Sequence, residues 1–225
     1  MELTTQKYLR IILPGVFLYG LLVILCWTTT WCELAIPQSW EELTKLLAAI
    51  VLGIIYHLTG LREISNRSYH YDINKNISAR LIAPFLGKIP DLGHLGWNDL
   101  RHLFYYFVDK DESLKVKSSL VRFNGLVWTS VADLRSVSLL GIAIFFLSIV
   151  CSHYSEIRAL KFNEARAYMP IFIISVMFLS TFILSQITTD RHRRLRNEQC
   201  DYILLHYRKE LKTKLTELTL RKRQL

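Results

Sequence analysis

Long apolar stretches separated by polar segments set the pattern of this 225-residue chain. Four stretches are rich in Leu, Ile, Val and Phe and carry no charged residue well inside them: Tyr8–Trp27, Leu46–Leu61, Ser136–His153 and Pro170–Thr189. A helix needs about 20 apolar residues to cross the hydrocarbon core of a bilayer. The pattern therefore predicts an all-α membrane protein with four transmembrane helices.

The first stretch begins seven residues from the N-terminus, so a cleaved signal peptide is the competing interpretation. A signal peptide has a short apolar core and a small-x-small cleavage site. Here the core is long and is followed by Trp27, three threonines and Trp31, which favours a retained helix. Pro14 and Gly15 lie inside this predicted span, where such a pair commonly marks a kink.

The second stretch is short, but the residues before it extend the predicted helix. Ser39-Trp-Glu-Glu42 has the sequence of a capping box, in which Ser39 and Glu42 each bond a backbone amide of the first turn. A helix that begins at Trp40 would place Trp27, Trp31 and Trp40 at one membrane interface, as in an aromatic belt.

The connecting segments differ in charge, and this difference predicts the orientation. Segment 28–44 has three acids and no Lys or Arg, whereas segment 62–135 has eleven bases and the tail 190–225 also has eleven. Lys and Arg stay on the cytoplasmic side during insertion. Both termini and the central segment are thus expected to be cytoplasmic. The predicted organisation is a transmembrane hairpin (1–61), a small cytoplasmic insert (62–135), a second hairpin (136–189) and a basic amphipathic C-terminal helix (190–225).

The cytoplasmic insert mixes loop and helix signals. Its start, Asn66–Asn76, is rich in Asn, Ser and Tyr and is predicted to be a loop. Ala79–Phe85 fits a short helix, and the Gly/Pro-rich segment 87–96 is expected to be irregular. Trp97–Val108 is predicted to be a helix because Leu100, Leu103, Phe104 and Phe107 repeat at helical spacing, with Asn98 as its cap. For Ser113–Leu134, strands and a helix both fit, and a helix is favoured.

In the tail, Ile203, Tyr207, Leu211, Leu215 and Leu218 recur every three or four residues. This spacing predicts an amphipathic helix of about eight turns, which could continue from the fourth span. Three roles fit: packing on the central segment, a coiled-coil stalk between subunits, or a surface helix on anionic lipid. Direct nucleic-acid contact is uncertain and ranks below these three.

Polar residues at membrane depth are the first set of candidate site residues. His57 lies in the second span, four residues before its end at Leu61, and either reaches the cytoplasmic interface or has a function at membrane depth. In the fourth span, Thr181, Ser185 and Thr188 share one helix face, with Gln186 alongside. Small hydroxyl residues commonly let helices pack closely. The alternative is that the stripe lines a water path when several copies assemble.

Basic residues of the tail are the second set, as contacts for a partner or for lipid headgroups. They are Arg191, Arg193, Arg194, Arg196, Arg208, Lys209 and Lys212. The cluster 191–196 directly follows the fourth span and also serves as the strongest stop-transfer signal.

Enzyme and metal signatures are missing from the sequence. There is no His-Glu-x-x-His, no Gly-x-Ser-x-Gly and no glycine-rich phosphate loop. The four cysteines have no metal-ligand spacing. A disulfide between Cys32 and Cys151 near the outer face is geometrically possible, but buried or free thiols are favoured. The chain is therefore not expected to be an enzyme or to hold a cofactor or metal.

The four spans, the insert 62–135 and the basic cluster Arg191–Arg196 together resemble the layout of small multi-pass effectors of bacterial anti-phage systems, including the transmembrane partners of retrons. The resemblance is one of architecture, covers the whole chain in outline and brings no functional residue with it. It implies a protein of the bacterial inner membrane that permeabilises that membrane when a cytoplasmic sensor signals infection.

Two functional hypotheses follow. The first is an oligomeric effector that permeabilises or depolarises the membrane when signalled through its cytoplasmic parts; its partners would be the bilayer, other copies of itself and a cytoplasmic protein or nucleoprotein. The second is a membrane anchor or sensor that conducts nothing and recruits a cytoplasmic partner protein.

Overall fold

The computed structural model of the protein describes residues 3–28, 42–154 and 164–223, and the regular elements in these ranges are all helices. The longer ones are α1 (Leu3–Thr28), α2 (Glu42–Leu58), α3 (Leu61–Ile82), α4 (Trp97–Lys110), α5 (Glu112–Tyr154), α6 (Glu164–His206) and α7 (Arg208–Arg223). Two short 3₁₀ turns, Ala83–Phe85 and Leu92–His94, lie between α3 and α4. The all-α prediction is confirmed for this part of the chain.

Three helices are long and apolar enough to cross a membrane: α1, α5 and α6. A fourth span is obtained if α2 and α3, which meet at a bend of 55°, are counted as one. The bend lies at Thr59-Gly60, where Gly60 has a φ of +66° and so adopts the left-handed conformation that commonly ends a helix. Three of the four predicted spans therefore correspond to single long helices, and the fourth is present only if the bent pair of α2 and α3 is counted as one span.

Some sequence predictions fall on residues or side chains outside the described part. These are the Ser39–Glu42 capping box, the tryptophan belt and the preference for free thiols over a disulfide at Cys32 and Cys151.

The chain divides into two compact units. The first unit comprises Met1–Asn66 and Leu126–Gln186, and the second comprises Arg67–Gly125 and Ile187–Leu225. Both ends of the insert predicted at 62–135, residues 62–66 and 126–135, therefore belong to the first unit.

In the first unit, α1, α2, α5 and α6 surround a small apolar core. Its buried residues are Leu21, Tyr56, Val137, Phe145 and Ile174. Many large apolar side chains of the same helices point outward; Phe146 and Phe172 are each 66 % exposed. A surface of this kind is suited to contact with lipid rather than with water.

Helices α1 and α2 approach each other closely at two glycines. A Cβ atom added to Gly15 would overlap the backbone carbonyl of Ala49, and one added to Gly53 would overlap the carbonyl of Ile11. Gly20, in the same helix as Gly15, has open space around it. The two backbones can pack this closely because neither glycine carries a side chain.

The second unit has its own core, to which five helices (α3 to α7) and the segment between α3 and α4 contribute. Its fully or almost fully buried members include Ile73, Ile77, Leu81, Leu92, Leu100, Phe104, Phe107, Leu114, Ile203, Leu211 and Leu215. The predicted helical stripe of Trp97–Val108 is buried here, as expected of a packing face.

The prediction of a loop at Asn66–Asn76 is wrong, because these residues lie within α3. Asn and Ser favour turns only when no packing competes, and here Ile73, Ile77 and Leu81 form a buried stripe on one helix face. The predicted Ala79–Phe85 helix is the end of α3 followed by a 3₁₀ turn.

Two further boundaries differ in detail from the sequence predictions. Gly96, not Asn98, precedes the first turn of α4, and the Asp99 carboxylate accepts a hydrogen bond of 2.9 Å from the Gly96 amide. Residues 113–134 are helical, as favoured, and form the first half of α5. The tail continues from the fourth span through α6 and bends at Tyr207, where the backbone bonds Tyr207 N to Ile203 O and Leu211 N to Tyr207 O remain.

Candidate functional site

A buried ion pair inside the first unit joins Arg62 of α3 to Asp133 of α5. The guanidinium Nε and Nη2 donate to Asp133 Oδ1 and Oδ2 at 2.8 Å each. The two side chains are only 9 % and 1 % exposed. This fork-to-fork geometry gives two charge-assisted hydrogen bonds and is the strongest arrangement an Arg–carboxylate pair can adopt.

The surroundings of the pair are polar on one side. The Arg62 Nη2 also donates to the backbone carbonyl of Arg10 in α1. The buried Tyr56 hydroxyl lies near the Asp133 carboxylate and the Ser136 hydroxyl. The network thus ties α1, α2, α3 and α5 together where the second predicted span ends and the third begins.

Local sequence places these groups. The Thr59-Gly60 turn ends α2, so that Arg62 is the second residue of α3 and faces back into the first unit. Asp133 lies in α5, three residues before the predicted third span. Its side chain is buried, as are those of Ala132 and Val137 in the same part of the helix.

The hydroxyl stripe of the fourth span lies partly in the same unit. Thr181 and Ser185 are both 0 % exposed. Ser185 Oγ accepts a hydrogen bond of 3.0 Å from Arg135 Nη2, and Thr181 Oγ1 donates to the Phe178 carbonyl at 2.6 Å. Within one chain these two residues pack against neighbouring helices; the lining of a pore by several copies stays a prediction.

The other three candidates at membrane depth are not brought to this network. His57 and Gln186 are exposed on the surface of the first unit. Thr188 belongs to the second unit, where its carbonyl accepts a hydrogen bond of 3.1 Å from Asn124.

The basic candidates of the tail fall into two groups. Arg193 pairs with Asp190 at 3.4 Å, and Arg196 lies over the rings of Phe104 and Tyr105, so both have local structural contacts. The remaining five are exposed: Arg191, Arg194, Arg208, Lys209 and Lys212.

Ion pairs hold the C-terminal helix α7 to the rest of the second unit. Lys110 binds Glu210 at 2.7 Å, Lys222 binds Asp99 at 2.6 Å, and Arg223 binds Asp91. The bond from Lys110 lowers the pKa of Glu210, and the bond from Lys222 lowers the pKa of Asp99. Three roles are predicted for the tail. In this structure α7 packs on the central segment, which is the first of them.

Asp111 connects three helices of the second unit. Its Oδ1 accepts a bond from the Leu114 amide and caps α5, while its Oδ2 accepts bonds from the Tyr207 hydroxyl at 2.7 Å and the Tyr202 hydroxyl at 3.3 Å. The Tyr207 hydroxyl is the main reason that the pKa of Asp111 lies below its ordinary value.

The sequence patterns do not by themselves identify Arg62, Asp133, Arg135 or Asp111 as site residues. The sequence does contain a signal for the first two. Arg62 directly follows the second predicted span and Asp133 lies just before the third, so both charges are expected at the same face of the membrane.

Among the described residues, no group of three or more His, Cys, Asp or Glu side chains is arranged to hold a metal ion. No family model, curated protein or solved structure matches the chain.

Proposed function

We propose that this chain is a multi-pass effector of the bacterial inner membrane, acting in anti-phage defence. In this proposal several copies assemble and permeabilise or depolarise the membrane when signalled through their cytoplasmic parts. Both termini and most of the second unit face the cytoplasm. The observation that carries the proposal is the buried Arg62–Asp133 pair in the unit that contains most of the span candidates.

The physical argument concerns the cost of burying charge. Ionisable groups within or beside membrane spans are expensive and are retained mainly where they serve a function. A buried ion pair adds little net stability compared with apolar side chains of the same volume, yet removing one partner is costly. The Arg62–Asp133 pair therefore suits a latch that keeps the spans closed until a signal separates the two charges, which then draw in water.

The experiment is a membrane-potential measurement with a voltage-sensitive dye in bacteria that express the chain. Asp133→Asn breaks the latch and is expected to depolarise the cells without a signal. The double variant Arg62→Asp/Asp133→Arg restores opposite charges and is expected to restore the closed state. Asp201→Asn, which removes an exposed ion pair with Arg80, is the matched control.

The amount of each variant in the membrane is measured in parallel. If Asp133→Asn is present at the wild-type level and the membrane potential does not change, the effector proposal is wrong.

A second candidate function, the anchor or sensor that conducts nothing, is favoured by the burial of Thr181 and Ser185. Side chains enclosed within one chain offer no face to a water path. As an anchor, the chain should leave liposomes tight, and Thr181→Leu or Ser185→Leu should overpack the helices and destabilise the protein by about 1–3 kcal/mol. As an effector with a lined pore, the same variants should fold normally and lower ion flux.

A further inference from the structure

An apolar stripe lies exposed along one face of α5. Val116, Leu120 and Phe123 of the second unit are 63 %, 56 % and 48 % exposed, and Val127, next on the same face, is 39 % exposed. Their spacing of four, three and four residues is that of the a and d positions of a coiled coil. A row of large apolar side chains left uncovered in this way marks an interaction surface.

The opposite face of the same helix is already occupied within the chain. Leu114 and Val121 point into the core of the second unit and are 0 % and 2 % exposed. The α5 helix therefore has one apolar face that its own chain covers and a second that no described residue covers.

We propose that this stripe is a seam between two copies of the chain, in which their α5 helices pack side by side in parallel. The inference rests on the proposed function in expecting an assembly of identical subunits. The parallel direction follows from the membrane: α5 contains the predicted third span, and copies inserted with the same topology enter the bilayer in the same direction.

The charges beside the stripe are complementary for this arrangement. With Leu120 at an a position and Phe123 at the following d position, Glu112 occupies a g position and Lys117 the next e position. In parallel coiled coils, the g residue of one helix pairs with the following e residue of the other. Glu112 of one copy thus meets Lys117 of the second, and symmetry repeats the pair.

The present contacts of these two residues are weak enough to be exchanged. The Glu112 side chain is 82 % exposed and bonds Lys115 of its own helix at 3.1 Å. The Lys117 ammonium lies 5.8 Å from the centroid of the Tyr202 ring. An exposed pair between neighbouring turns contributes little, so a pair across the seam can replace it.

The seam is short for a coiled coil, about 18 Å over roughly twelve residues. Free helices need about three or four heptads to associate. Copies held in one membrane already share an orientation and have a high effective concentration, so a short seam is sufficient.

The first test is disulfide crosslinking in native membranes. A variant in which the four cysteines are replaced by Ala receives either Leu120→Cys, on the seam, or Lys115→Cys, exposed on the same helix but off the seam. A two-fold axis along the seam brings the two thiols introduced at position 120 within disulfide reach. We expect a crosslinked dimer of the Leu120→Cys variant and at least about tenfold less dimer of the Lys115→Cys variant, since matched helix faces alone bring the sulfurs together.

The second test keeps the native cysteines, in case their replacement prevents folding. Glu112→Lys should lower the dimer fraction in native nanodiscs by about five- to tenfold, because two symmetry-related attractions become repulsions. The double variant Glu112→Lys/Lys117→Glu should restore it. Three outcomes would each overturn the seam: equal crosslinking of the two cysteine variants, no crosslinking of Leu120→Cys, or no rescue by the double variant. In each case the stripe is covered by lipid, another protein or water and not by a second copy.

These outcomes are separable from those of the proposed function. A chain that depolarises membranes while its Leu120→Cys variant forms no crosslink refutes the seam alone. A chain whose Leu120→Cys variant crosslinks and which never depolarises membranes refutes the effector and leaves the seam in place.

Discussion

A single carboxylate, Asp133, neutralises a guanidinium in the interior of the first unit. The partners are 71 positions apart in the sequence, and each accounts for the burial of the other. Arg62 without Asp133 would be a buried charge with only the Arg10 carbonyl as a bonding partner among the contacts seen. Such a charge is much more costly than the intact pair.

We predict that Asp133→Asn lowers the free energy of unfolding by about 3–5 kcal/mol, because the substitution keeps the size of the side chain and leaves the Arg62 charge buried. Unfolding of the purified protein in detergent, followed by circular dichroism, measures the change. Asp201→Asn should alter stability by less than about 1 kcal/mol, since its ion pair with Arg80 is exposed. Equal effects of the two substitutions would show that the Arg62–Asp133 pair is solvated.

At the scale of elements, the contact between α1 and α2 depends on two glycines. Gly15→Ala would place a methyl group against the Ala49 carbonyl and force the helices apart, whereas Gly20→Ala meets nothing. We expect Gly20→Ala to be neutral or to stabilise the helix by up to about 1 kcal/mol. Gly15→Ala should instead lower the melting temperature, measured on the same detergent-solubilised protein. A melting temperature raised equally by both substitutions would exclude the close approach.

The C-terminal helix α7 should loosen in acid. The folded-state pKa values of Glu210 and Asp99 lie below the ordinary 4.5 and 3.8. Their ion pairs therefore stabilise α7 fully above those ordinary values, and the stabilisation is lost as the pH falls through the lower folded values. Hydrogen-exchange protection of α7, corrected for intrinsic rates, should fall as the pH is lowered from about 6 to about 3, relative to that of the Ile73–Leu81 part of α3.

Two substitutions in the same helix check the origin of this effect. Glu210→Gln should weaken the acid dependence, because it removes the bond to Lys110. Glu217→Gln, an exposed position with no ion pair among the described contacts, should leave the dependence unchanged. If both variants behave like the wild type, the Lys110–Glu210 pair is not the origin of the acid dependence.

Helix α3 shows how far local sequence could predict the elements. Its Asn- and Ser-rich start favours turns in isolation, and for that reason the sequence prediction was a loop. Ile73, Ile77 and Leu81 nevertheless repeat every four residues, and their burial stabilises a helix that propensity alone does not. Where the apolar repeat was strong, as in α4 and the tail, the predicted helices are present.

At the scale of the whole molecule, the basic residues after the fourth span should determine the topology. We expect a C-terminal green fluorescent protein fusion to fluoresce and alkaline phosphatase inserted after residue 34 or residue 160 to be active, because the first folds in the cytoplasm and the second outside it. Arg193→Glu/Arg194→Glu should reduce that fluorescence.

The matched control is Arg208→Glu/Lys209→Glu, which changes the charge equally but lies farther from the span, where charge has less influence on insertion. Equal losses of fluorescence in the two double variants would show that the overall charge of the tail is decisive, rather than its position. A dark wild-type fusion with inactive phosphatase insertions would contradict the predicted orientation.

The all-helical class, the apolar stretches long enough to span a membrane and the amphipathic tail can all be predicted from the sequence, because hydrophobicity and helical period are local properties of a chain. Three features depend on how the helices pack in three dimensions. They are the pairing of Arg62 with Asp133, the burial of Ser185 beside Arg135 and the exposure of the Val116–Phe123 face of α5. Each of these depends on which helices pack together, and packing depends on shape and close approach across distant parts of the chain. A one-dimensional pattern of polar and apolar residues does not contain that information.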